Sequence, residues 1–249
     1  MIDAHIHLCN EQVFPIREIF LQYACNNSIR YFLSCTASLV DFKRQDTVVD
    51  KDKTGKIKAF YGIHPWYVTD VKDDLRELID TIGEKICSKR AIGIGEIGLD
   101  ALKPNFPFQQ KLFKAQAELA TLLKVPFVIH NVKADEEVIE ILRKTADLPP
   151  FMLHSFAGGI HKIKDYTDMG AYFSFSHRIT RRKPEYIRQL MEKIPLERIL
   201  IESDFDGKNG GIENYNITKT YGFVAEALKM DYKELQDIVD KNVQRFLNL

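Results

Sequence analysis

Short runs of β-branched and aromatic residues alternate along this chain with longer stretches whose apolar positions recur every three to four residues. The short runs predict strands at Met1–His7, Arg30–Thr36, Lys58–His64, Ala91–Gly95, Phe127–His130, Phe151–His154, Ala171–Ser176 and Ile199–Ser203. Between most of them the spacing predicts helices, first over Val13–Asn26 and then over Asp73–Lys89, where Leu75, Leu78, Ile79, Ile82 and Ile86 share one face. Pro107–Leu123, Asp135–Lys144, Ile160–Met169 and Lys183–Glu192 follow, and Tyr221–Leu228 with Lys233–Phe246 close the chain. Strands separated by crossovers long enough for a helix predict a parallel sheet. Eight of them in 249 residues favour an α/β fold of the (β/α)8 TIM-barrel type over an open doubly wound sheet, as one domain over residues 1–249.

Composition narrows the function classes. The 35 basic and 35 acidic residues cancel, so no global field steers the chain onto nucleic acid or an anionic membrane. Any polyanionic substrate must then be held by local groups. No apolar run reaches the roughly 18 residues that a membrane span needs. Cys9, Cys25, Cys35 and Cys87 form no C-x-x-C pair and no secretory segment precedes them, so the expectation is reduced thiols in a cytoplasmic protein.

The candidate chemistry begins at Asp3-Ala4-His5-Ile6-His7. A strand has a side-chain period of two, so Asp3, His5 and His7 share a face, and two imidazoles spaced this way can close on one divalent cation. Further groups fall at the ends of later strands: His64, Glu96, His130, His154 and, after the last, Asp204. In a (β/α)8 barrel the C-terminal strand ends converge on one mouth. His5, His7, Glu96, His130, His154 and Asp204 make six candidate ligands, more than the three that an open catalytic zinc usually takes. They suit two divalent ions sharing a carboxylate, with positions left for water and substrate. Mg²⁺, Mn²⁺ and Zn²⁺ all remain open.

Asp3-Ala-His5-Ile-His7-Leu8, Gly62-Ile63-His64-Pro65, Gly95-Glu96-Ile97-Gly98-Leu99-Asp100, Pro126-Phe127-Val128-Ile129-His130, His154-Ser155-Phe156 and Ile201-Glu202-Ser203-Asp204 occur in that order. With Gln109, Phe113, Gln116 and the ending Asn242-Val243-Gln244-Arg245-Phe246, the chain resembles the TatD family of metal-dependent hydrolases, among the amidohydrolase-like barrels. The resemblance implies a two-metal hydrolase of a family best known for deoxyribonuclease activity. It implies that His5 and His7 hold one ion with Asp204, that His130 and His154 hold the other, and that Glu96 bridges them. His64 looks like the family's pocket histidine, facing substrate. Asp204 would also be the base that takes a proton from a water acidified by the cations.

Three departures bear on the substrate. Where the family carries an arginine two positions after His130 this chain has Val132, with Lys133 next to it. Asp204-Phe205-Asp206-Gly207 replaces the family's small residue and proline, adding an acid, and Gly211-Ile212-Glu213-Asn214-Tyr215-Asn216 lacks the family's arginine. His177, Arg178, Arg181 and Arg182 could compensate at the rim. The expected substrate is DNA or another phosphodiester. The alternatives are an amide or ester small molecule on the same metals, and a catalytically weak metal-binding scaffold.

Overall fold

The apolar runs pair in chain order. In the computed structural model, which describes residues 1–70, 75–88, 90–208 and 210–248, eight strands form one sheet in the order β1 to β8. They are β1 (Ile2–Ile6), β2 (Tyr31–Cys35), β3 (Ile57–Tyr61), β4 (Gly93–Asp100), β5 (Phe127–Val132), β6 (Phe151–Leu153), β7 (Tyr172–Phe175) and β8 (Ile199–Ile201). Every neighbouring pair is parallel. A parallel bridge between Ile6 and Phe205 then joins the segment after β8 back to β1. The (β/α)8 barrel expected from the pattern is the observed architecture.

Nearly all strand residues are buried on both faces, because side chains fill the barrel and helices cover its outside. The helices are α1 (Arg17–Asn26), α2 (Leu39–Lys51), α3 (Leu75–Cys87), α4 (Phe106–Leu123), α5 (Asp135–Arg143), α6 (Ile163–Asp168), α7 (Pro184–Lys193), α8 (Ile217–Leu228) and α9 (Tyr232–Phe246). No helix among the described residues is long and apolar enough to cross a membrane.

Three sequence expectations need correction. Helix α2 has no counterpart in the sequence reading, because its buried face includes the polar Asp41 and Gln45 beside Phe42 and Val48. Gln45 donates to the Ser34 carbonyl at 2.6 Å and accepts from the Ser34 hydroxyl at 2.9 Å, so hydrogen bonds as well as an apolar stripe dock that helix. Strand β4 does not end before Glu96. It continues to Asp100, because residues 97 to 100 pair with Ile129–Val132 after a register shift between Ile94 and Ile97. Helix α8 starts four residues earlier than expected, since Ile217, Thr220 and Tyr221 are buried together. The expected ends of the third helix pattern, Asp73 and Lys89, lie outside the described residues.

Buried amides fix the strand ends that carry chemistry. On α4, Gln116 accepts from the Ile63 N–H at 2.8 Å and Gln109 accepts from the Asp100 N–H at 2.8 Å. Asn242 on α9 donates to the carbonyls of Leu196 and Ile199, tying the last helix to the start of β8. Losing a partner of a buried backbone group costs about 1–3 kcal/mol, so these amides hold the strand ends in register.

Candidate metal centre

The strand ends bring His5, His7, His64, Glu96, His130, His154 and Asp204 around one small pocket of about 80 Å³, with His5 fully buried at its floor. The alternation along β1 sets His5 and His7 side by side, with their Nε2 atoms 3.1 Å apart. Glu96 Oε2 lies 3.3 Å from His5 Nε2 and 3.2 Å from His7 Nε2. Asp204 Oδ1 completes this half at 3.9 Å from each imidazole nitrogen.

The other carboxylate oxygen faces the other half. Glu96 Oε1 lies 3.0 Å from His130 Nδ1, 2.8 Å from His154 Nε2 and 3.3 Å from His64 Nε2. His130 Nδ1 and His154 Nε2 are themselves 3.1 Å apart. Two ligands bound at about 2.0–2.2 Å to one cation sit roughly 3–4 Å apart, so each half has the spacing of a ligand set. Gly98 permits this approach of β4 to β5. Its φ is +140°, and a Cβ there would stand 2.0 Å from the His130 carbonyl oxygen.

The donor set passes a second test, which nitrogen of each ring keeps its lone pair. His7 Nδ1 lies 3.1 Å from the Cys35 carbonyl and must donate to it, leaving Nε2 as the ligand atom. His154 Nδ1 faces Glu202 Oε1 at 3.4 Å, and His130 Nε2 faces Asp100 Oδ2 at 3.7 Å. Each carboxylate favours the outward nitrogen for the one proton that a metal-bound ring keeps, so that the inward nitrogen can be the ligand atom. His64 is the reverse case. The Trp66 N–H donates to its Nδ1 at 3.1 Å, so in the neutral ring the proton sits on Nε2 and points at Glu96. That makes His64 a donor into the pocket. The residues therefore fit divalent cations.

Electrostatics follow the same division. Burial pushes the Glu96 carboxyl upward, but His154, His64 and His130 outweigh it and hold the group well below its usual range. Burial opposes protonation of His154, yet the Glu96 and Glu202 carboxylates hold its pKa well above the ordinary value. Burial is the dominant cause for His64, lowered to about 3, and it also lowers His5. Asp100 is pulled down to about 2 against its burial, by the His130 imidazole nearby and by the Trp66 indole, which donates to it at 2.6 Å.

Several residues outside the candidate ligand set support it. Asp100 and Glu202 support His130 and His154; Asp100 shares β4 with Glu96 four residues away, whereas Glu202 lies just past the end of β8, where no strand period marks it. Asp3 accepts from the Ser203 N–H at 2.8 Å and from the Tyr215 hydroxyl at 2.9 Å, locking β1 to the segment that carries Asp204. Arg178 reaches Asp204 Oδ2 at 3.3 Å. Among the departures, Val132 closes β5 and Lys133 is exposed.

A (β/α)8 barrel with imidazoles and carboxylates converging at the C-terminal strand ends defines a metal-dependent hydrolase. The sequence model of the TatD related DNase family matches residues 2–248, and the chain belongs to that family. It is 25% identical over 260 residues to the uncharacterized metal-dependent hydrolase YabD of Bacillus subtilis, covering 100% of this chain and 99% of the relative. Among solved structures, the TatD homolog YjjV of Escherichia coli superposes with a TM-score of 0.87 at 21% identity, covering 100% of this chain and 98% of that one. An uncharacterized amidohydrolase of Saccharomyces cerevisiae shares the fold at a TM-score of 0.79 and 15% identity, over 98% of this chain and 99% of that one.

Proposed function

We propose that this hydrolase cleaves phosphodiester bonds, with DNA among its substrates, and that two divalent ions share Glu96. The division of the Glu96 carboxylate carries the reading: Oε2 faces His5 and His7, while Oε1 faces His130 and His154. Asp204 would complete the first site. Bound there, the ions would supply an acidified water and neutralise charge that develops on the phosphoryl oxygens.

The chain's own groups do the rest. Asp204 has one oxygen toward His5 and His7 and the other on Arg178, so its carboxylate is aimed at the pocket and held there. It takes the proton of the attacking water, a role worth about 10²–10⁴ in rate. His64 presents its Nε2–H to the pocket and donates to Glu96 or to a substrate oxygen. Arg178, exposed on the rim, offers a cation to the phosphate in place of the arginines that the family pattern carries elsewhere.

Asp206, which lines the same pocket, favours a second reading, an uncharged amide or ester substrate. A substrate panel separates the two: a phosphodiester chromogen, a single-stranded oligonucleotide, an amide and a lactone, each with Mg²⁺, Mn²⁺ or Zn²⁺. The phosphodiester reading expects turnover of the first two. Turnover of the amide or lactone alone overturns it.

A further inference from the structure

Beside the metal pocket lies a larger cavity of about 500 Å³, walled by the segments after β7 and β8 and by Asn216 at the start of α8. Arg178, Asp204 and Asp206 line both spaces, so the two adjoin. We propose that this cavity is a subsite for a second phosphate of the substrate, next to the one being cleaved. The proposal rests on the phosphodiester reading.

The sequence His177-Arg178-Ile179-Thr180-Arg181 folds as a 3₁₀ turn with Ile179 buried. Side chains three apart eclipse one another in such a turn, so Arg178 and Arg181 project to the same side, and both line the cavity. The acids present are already matched. Asp204 meets Arg178 at 3.3 Å, and Asp206 meets the Lys208 ammonium at 3.6 Å and the Lys208 N–H at 2.9 Å. Arg181 has no acidic partner among the described residues, and a guanidinium fork matches phosphate geometry.

Two further features point the same way. His177 Nδ1 is buried without a hydrogen-bond partner, and Lys219 in the first turn of α8 is close enough to depress its protonation, after burial itself. No side chain caps the N-terminus of α8, so its first N–H groups are left for another acceptor. In (β/α)8 barrels the loops after the seventh and eighth strands, with a helix N-terminus, recurrently form a phosphate site. The groups are those of an anion subsite: Arg181 without an acidic partner, the unpartnered His177 Nδ1 and a helix start beside a polar cavity, with Arg178 between it and the metal pocket.

Calorimetry on the metal-loaded full chain tests this with two probes that hold no diester, thymidine 5′-phosphate and thymidine 3′,5′-bisphosphate. The wild type should bind the bisphosphate at least tenfold more tightly than the monophosphate. Arg181→Ala, at an exposed position, should reduce that gain to about twofold or less, and Arg181→Lys should restore part of it. A wild type that binds both alike, or an Arg181→Ala variant that keeps the full gain, overturns the subsite. Failure of the phosphodiester reading itself would appear separately, as turnover confined to the amide or lactone in the substrate panel.

Discussion

The backbone N–H of Asp204 donates to the carbonyl of His5 at 3.1 Å, while Asp204 Oδ1 stands 3.9 Å from His5 Nε2. One pair of residues thus closes the barrel with its main chains and builds the site with its side chains. Replacing the carboxylate alone leaves the closure intact. Asp204→Asn should therefore keep its fold and KM while kcat falls on the order of 10²–10⁴. Steady-state kinetics in metal-replete buffer measures this, and wild-type kcat in the variant would remove Asp204 from the role of base.

Loading the centre should release protons. In the metal-free protein Glu96 and Glu202 hold the pKa of His154 well above its ordinary value, and a cation needs the lone pair of the nitrogen that faces the pocket. The raised pKa means that the proton is bound below it and absent above it. Apparent metal affinity should thus climb about tenfold per pH unit for each proton displaced, and level off above that pKa. Calorimetry in buffers of different ionisation enthalpy reads the proton count. Glu202→Gln should lower the count, and an unchanged count would deny Glu202 its hold on His154.

Asp3 gives the metal-free fold an opposite pH dependence from that of an ordinary paired carboxylate. Full burial raises it from 3.8 to about 7, despite hydrogen bonds from Ser203 and Tyr215. The folded state therefore binds the extra proton between these values, so its contribution is complete below pH 3.8 and is lost as pH rises to about 7. The loss is on the order of 4 kcal/mol. Asp3→Asn keeps an acceptor for the Ser203 N–H and removes the titration. Urea unfolding from pH 4 to pH 8 should show a flatter stability profile in that variant, and parallel profiles would contradict this account.

Gly98 should resist even alanine. An added methyl meets the His130 carbonyl, and the backbone there is strained for any L side chain. Strain of about 1–3 kcal/mol in a chain of this size lowers Tm by roughly 3–10 °C. Gly98→Ala should also weaken metal binding on the His130 side, because β5 has to move away. Differential scanning calorimetry and metal titration check both effects, and a variant with wild-type Tm would show that the strands can adjust freely.

The barrel was legible because burial on both faces forces continuous apolar runs, and their period and spacing survive in the sequence. The candidate ligands were legible for a related reason: a polar residue that closes an apolar strand has few structural excuses. What hid was held by hydrogen bonds. Helix α2 docks partly through Gln45, and no apolar period reports a buried amide. The β4 end was misplaced because Glu96 and Asp100 are polar residues inside a strand, and the pairing of residues 97 to 100 with β5 is a contact across the sheet. Arg178 stood out in the sequence only as one of several rim cations, since its contact with Asp204 depends on where the segments after β7 and β8 meet.

The central claim is that Glu96 stands between two cations. Crystals grown with Mn²⁺ or Zn²⁺ and measured at the metal's absorption edge test it most directly. The account predicts two anomalous peaks, one among His5, His7, Glu96 and Asp204 and one among Glu96, His130 and His154. A single peak at saturating metal, or peaks away from Glu96, would contradict it.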